Sequence, residues 1–131
     1  MIRPLGLCAV LLAAAPAHAG VPADGSDCDA ERGRVLYSKC VMCHTLEEGG
    51  AHLDGPALYG ILGRRIAAAE GFAYSEALEA LRDGSWSGER LDRFLADPQL
   101  EVPGTTMAFA GFRKAQDRRD LLCYLAAPAG Q

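Results

Sequence analysis

The tightest constraint on this chain is the run Cys40-Val41-Met42-Cys43-His44. Thiols at i and i+3 share one helical turn, and an imidazole at i+4 falls on the same face. Two thiols so spaced can add to the two vinyl groups of a haem, while the histidine swings under the ring to ligate its iron. Each residue type in the motif is therefore demanded by a bond. A zinc site would need a second close ligand pair, whereas Cys28 and Cys123 stand isolated in the sequence. A thioredoxin-like redox pair would need a βαβ context, and the sequence offers none. The run predicts one covalently attached haem c, bonded to Cys40 and Cys43, with His44 as an iron ligand.

A chain of 131 residues has room for one ordinary domain, which excludes enzymes built on a barrel or a doubly wound sheet. Half the residues are hydrophobic and 23% are charged, the balance of a compact globule and not of a disordered tail. The first residues read as an export signal. Arg3 supplies a positive charge, Leu5 to Ala15 is a short apolar run, and Ala17-His18-Ala19 before Gly20 has the small-x-small pattern of a cleavage site. The run is too short to span a membrane. The expectation is a signal peptide over 1–19 and a periplasmic domain over 20–131; the alternatives are an uncleaved anchor or a lipoprotein built on Cys8, which lies inside the apolar run and follows Leu7 where a small residue would be expected. The full chain carries a formal net charge of −4, which losing Arg3 makes more negative, so nucleic acid is excluded as a natural partner.

The rest reads as helices and loops. Ala30 to Lys39 is amphipathic and follows the candidate caps Ser26, Asp27 and Asp29. It should deliver the cysteine motif at its end. From Thr45 to Ala73 the chain is glycine-rich and irregular, with Ala57 to Leu62 the one stretch suited to a short helix. A loop of that length needs a ligand to order it. Ser75 and Ser87 are placed to cap helices over Glu76–Arg82 and Glu89–Ala96, the second stopping before Pro98; a last helix covers about Gln116 to Ala126. No run alternates with period two for long enough to make a good strand.

With the motif placed, the chain resembles the class I cytochrome c family. The likeness runs from Gly33 to Leu125 through Cys40-Val41-Met42-Cys43-His44-Thr45, Gly55-Pro56-Ala57-Leu58-Tyr59-Gly60, Gly63-Arg64, Gly71-Phe72-Ala73-Tyr74-Ser75, Trp86, Pro103-Gly104-Thr105-Thr106-Met107-Ala108-Phe109-Ala110-Gly111 and Asp120-Leu121-Leu122-Cys123-Tyr124-Leu125. The resemblance implies an all-α cytochrome c fold, a few helices wrapped around one haem, and one-electron transfer without substrate turnover. It also implies that Met107 is the second iron ligand. Counting agrees: Met42 lies inside the attachment motif, and Met107 is the other methionine left after export. Thioether sulfur suits low-spin haem iron. The plain alternative is a methionine filling the core.

By the same resemblance, the Pro56 carbonyl would accept from the His44 imidazole and so fix its tautomer. Arg64, Tyr74 and Trp86 would hold a buried propionate, with Thr105 offering a hydroxyl nearby. His52 would bridge two loops. Gly33 and Tyr37 would meet Leu121 and Tyr124 where the first and last helices cross. Core packing is the simpler account of the aromatic residues.

Three features depart from the family pattern. Phe94 and Leu78 stand where a tyrosine and an asparagine usually flank a buried water. The usual ring of lysines is thinned to Lys39 and Lys114, which puts the familiar oxidase partner in doubt. With Arg113, these lysines flank Phe109 and Phe112 at positions that in the family surround the haem edge, a candidate docking patch for redox donor and acceptor proteins. Third, Cys28 and Cys123 are extra. They remain after haem attachment in an oxidising compartment, and the resemblance brings them near the crossing of the first and last helices, so a disulfide is expected; a free Cys28 with a buried Cys123 is the competing reading. The functional expectation is a monomeric periplasmic electron carrier, not an enzyme. The alternatives are an electron-accepting cytochrome subunit of a periplasmic dehydrogenase or a haem peroxidase.

Overall fold

The structure, a computed structural model, describes residues 27–127; the expected signal peptide lies outside the described residues. Five α-helices follow in order: α1 Ala30–Tyr37, α2 Glu76–Glu79, α3 Gly88–Ala96, α4 Pro98–Glu101 and α5 Ala115–Ala126. The one β-type pairing among the described residues is an isolated bridge between Arg65 and Ser85. The expected all-α class holds.

Four of the five helices start on a side-chain cap. Asp29 accepts from the Arg32 amide, Ser75 from Leu78, Ser87 from Arg90 and Asp97 from Leu100, each satisfying an amide that has no partner within the helix. Pro98 does not only stop α3, as the sequence suggested. It opens α4 at a first-turn position, where its missing N–H costs nothing. Two other expectations need correction. Ala57 to Leu62 is a turn region, not a short helix: Gly60 and Gly63 adopt φ of 64° and 79°, and the carbonyls of Ala57 and Tyr59 accept from the Arg64 guanidinium. The helix after Ser75 ends at Glu79 and passes into turns before Gly84.

The α1–α5 crossing anchors the fold. A β-carbon on Gly33 would stand 2.0 Å from the Asp120 carbonyl oxygen, so only glycine allows the two backbones this close. The Tyr37 and Tyr124 rings pack at 5.5 Å, and Leu121 is fully buried. Asp120, only 1% exposed, is saturated with donors: the Asp29 amide at 2.9 Å, the Gln116 side chain at 2.8 Å, and the Arg32 guanidinium, which also pairs with Asp117. A buried carboxylate is tolerated when it is bonded in this way. Beside this network Cys28 and Cys123 face each other, their Cα atoms 6.3 Å apart and their sulfurs in bonding contact, a separation within the range that disulfides span.

Candidate functional site

The end of α1 sets the site's first residues. After Tyr37 the chain continues in tight turns, with the Cys40 amide donating to the Tyr37 carbonyl at 2.7 Å and the Cys43 and His44 amides to the Cys40 carbonyl at 3.0 and 2.9 Å. The motif therefore leaves the helix proper yet keeps helix-like geometry. The Tyr37 hydroxyl donates to the His44 carbonyl at 3.2 Å.

His44 is held from two sides. Its Nδ1 lies 2.7 Å from the Pro56 carbonyl, and a carbonyl can only accept, so Nδ1 carries the proton and Nε2 keeps the lone pair. Burial pushes the imidazole below its ordinary pKa, while the Pro56 bond pulls the other way. The neutral form is the one that can ligate a metal. Against the ring lies Gly55, whose amide donates to the Cys43 carbonyl at 2.8 Å. Burial also pushes the Cys40 thiol up to about 11, with Cys43 adding to the shift.

These residues line a cavity of about 310 Å³. Cys40, Cys43, His44, Pro56, Arg64, Tyr74, Trp86, Thr105 and Met107, all the sequence-predicted site residues, meet on its wall. Most of the remaining wall is apolar and includes Leu78, Phe94 and Phe109. Trp86 packs on Phe94 at 5.0 Å between ring centroids. Met42 is 79% exposed and is not on the wall. His52 is not on the wall either: it bridges loops, accepting from the Ala57 amide at 3.0 Å and donating to the Glu70 carbonyl at 2.9 Å.

Arg64 is the informative residue for what the cavity accepts. Its two terminal nitrogens donate to the Tyr59 and Ala57 carbonyls at 3.2 and 2.9 Å, while its Nε is buried with no hydrogen-bond partner. Burial pushes the guanidinium below its ordinary pKa. A cation on an apolar wall with an unspent donor fits an anionic ligand group.

Met107 enters through a tight turn. The Thr105 amide donates to the Val102 carbonyl at 3.0 Å, with Pro103 at the second corner and Gly104 at φ 93° in the third, the pattern of a type II turn. Beyond Met107, Gly111 packs so closely that a β-carbon would lie 2.0 Å from the Ala96 carbonyl oxygen. The Phe112 amide donates to the Leu95 carbonyl at 2.7 Å, and Arg118 bonds the Phe112 carbonyl at 2.8 Å while pairing with Asp92 on α3. Lys39 sits over the Phe112 ring at 5.0 Å. Sequence reasoning missed Gln99, whose side-chain amide reaches the same segment; an exposed glutamine in a four-residue helix carries no signal of such a role.

A helical shell around an apolar cavity, with two cysteines, a tautomer-fixed histidine, a methionine and a half-buried cation on its wall, defines a c-type haem protein. Sequence and structure comparisons agree. The cytochrome c family profile matches residues 30–127. Cytochrome c of Gibberella zeae is 40% identical over 98 residues, 74% of this chain and 92% of that protein. The cytochrome c-type cyt cy of Rhodobacter capsulatus is 43% identical over 98 residues, 74% of this chain and 48% of that protein. Among solved structures, cytochrome cH from Methylobacterium extorquens superposes with a TM-score of 0.67 at 36% identity, covering 74% of this chain and 96% of the other. The chain belongs to the cytochrome c family: it is an electron-transfer protein, not an enzyme, and its cofactor is one covalently attached haem c.

Proposed function

We propose that this protein is a periplasmic one-electron carrier, monomeric and exported with loss of residues 1–19, whose haem is bonded to Cys40 and Cys43 and ligated by His44 and Met107. The observation that carries the ligand assignment is the division of the methionines: Met107 lines the cavity with His44, while Met42 is 79% exposed outside it. When bound, the haem supplies iron that cycles between the ferrous and ferric states.

The chain's own residues do the rest. Pro56 holds His44 in the tautomer that leaves Nε2 free, and Gly55 keeps the ring in place. Arg64, with its unspent Nε, offers charge to a propionate, alongside Tyr74, Trp86 and Thr105. The apolar wall, including Phe94 and Leu78 where the family usually has polar groups, excludes water and limits solvent reorganisation on electron transfer. Cys28 and Cys123 form a disulfide that ties the start of α1 to α5.

Docking to donor and acceptor uses the basic patch of Lys39, Arg113 and Lys114 beside Phe109 and Phe112. On an acidic protein this patch gives a dipole that can orient encounter. The test is a potentiometric titration of the purified holoprotein, in which a reversible transition with a single-electron slope is expected. An irreversible or multi-electron transition would reject the carrier assignment. Charge reversal at Lys39 and Lys114 should slow exchange with the natural partner in a salt-dependent way; unchanged rates at low ionic strength would remove this face from the account.

A further inference from the structure

We propose that Gln99 is a positioning residue for the Met107 ligand, strapping the ligand-bearing segment to α4. Its side-chain Nε2 donates to the Thr105 carbonyl at 2.8 Å and, more loosely, to the Met107 carbonyl at 3.4 Å. Both partners are carbonyls, so only the NH2 end of the amide can serve them, which fixes the side chain's orientation. Gln99 thus spans the two residues on either side of Thr106 and lies across the segment that brings Met107 to the cavity.

Among the described residues the other hydrogen bonds to residues 105–107 are local, and the nearest tie to α3 comes only further on, where the Phe112 amide donates to the Leu95 carbonyl. The Met107 amide makes a long bond of 3.4 Å to Thr105 Oγ1, and the Met107 carbonyl accepts from the Phe109 amide at 3.0 Å. The turn at Pro103-Gly104 aims the segment but does not clamp its far side. Phe94 and Leu78 on the cavity wall are apolar, so neither can hold a sulfur by a hydrogen bond. Among the described residues Gln99 is the helix side chain that hydrogen-bonds this segment, and α4 is itself fixed by the Asp97 cap and by Arg93, which bonds Glu101 at 3.1 Å. The strap raises the cost of swinging Met107 away from the iron, and so protects the sixth coordination position against competing ligands.

This inference rests on Met107 being an iron ligand. Its test uses ferric holoprotein and added imidazole, with the weak far-red absorption band of methionine-ligated ferric haem as the readout. Gln99→Ala, at an exposed position, should fold and keep the band but bind imidazole about three- to tenfold more tightly, the range expected from losing one ordinary hydrogen bond. Gln99→Glu, which puts an acceptor against two carbonyls, should do the same or more. In a Met107→Ala background there is no sulfur to displace, and Gln99→Ala should leave imidazole affinity unchanged, a coupling that general loosening would not produce. Equal imidazole affinity of wild type and both Gln99 variants, with the band present, would overturn the positioning role alone. The same gain in the Met107→Ala background would overturn it as well. Absence of the band from wild type would overturn the ligand assignment, and the strap with it.

Discussion

Gly55 leaves no space for a β-carbon against His44: one built there would lie 2.3 Å from Cε1 of the ring and 2.7 Å from Nδ1. The glycine is needed here for close approach, since the ring also bonds the next residue's carbonyl and cannot retreat without losing that bond. Gly55→Ala should therefore displace the imidazole and destabilise the holoprotein by about 1–3 kcal/mol, the usual cost of overpacking. Chemical denaturation followed by haem absorbance checks this; wild-type stability in the variant would show that the ring has room to move.

Arg64 gives the second prediction. Arg64→Ala removes a half-buried positive charge from the cavity wall, and positive charge near the iron favours the reduced, less positive haem. The midpoint potential should fall, and Arg64→Lys, which keeps the charge but loses the forked donors to Ala57 and Tyr59, should fall less. Redox titration of the three proteins decides it: an unchanged potential in Arg64→Ala would place the guanidinium's charge outside the haem's electrostatic reach.

Asp120 should make stability depend on acid. The Asp29 amide first, then Gln116 and Arg32, hold its carboxyl below the ordinary carboxylate range. A group with a lowered folded pKa contributes stability in full above its unfolded pKa, near 4, and loses it as pH falls through the folded value. Asp120→Asn should lower Tm by several degrees at pH 7, and the gap from wild type should close as pH drops below about 4. A gap that stays constant from neutral to acid pH would mean that the charge is not what the network holds.

The fourth prediction concerns Cys28 and Cys123, separated by 95 residues. Closing a loop of that length stabilises the fold by about 4.7 kcal/mol in the chain-entropy model. Denatured, unreduced holoprotein that has lost residues 1–19, and Cys8 with them, should present no titratable thiols, because haem attachment consumes Cys40 and Cys43. Two titratable thiols would reject the bridge.

What the sequence made legible follows from how local each signal is. The haem motif is five contiguous residues whose spacing alone dictates their chemistry, and the caps at Ser75 and Ser87 each act within three residues. Non-local decisions were less visible. Ala57 to Leu62 has helix-compatible residues, but its carbonyls are claimed by Arg64, a side chain that bends back from beyond the segment. Pro98 reads as a stop and also proved to be a start, because the same missing N–H that ends one helix is free of cost in the first turn of the next. Gln99 carried no pattern at all, since its importance lies in two carbonyls six and eight residues away.

The most direct test of the central claim is the visible spectrum of the oxidised holoprotein beside that of Met107→Ala. Wild type should show a low-spin haem with the weak far-red band of sulfur ligation, and Met107→Ala should lose that band while keeping its haem covalently attached. A band that persists in Met107→Ala, or that is missing from wild type, would contradict the His44/Met107 ligand pair.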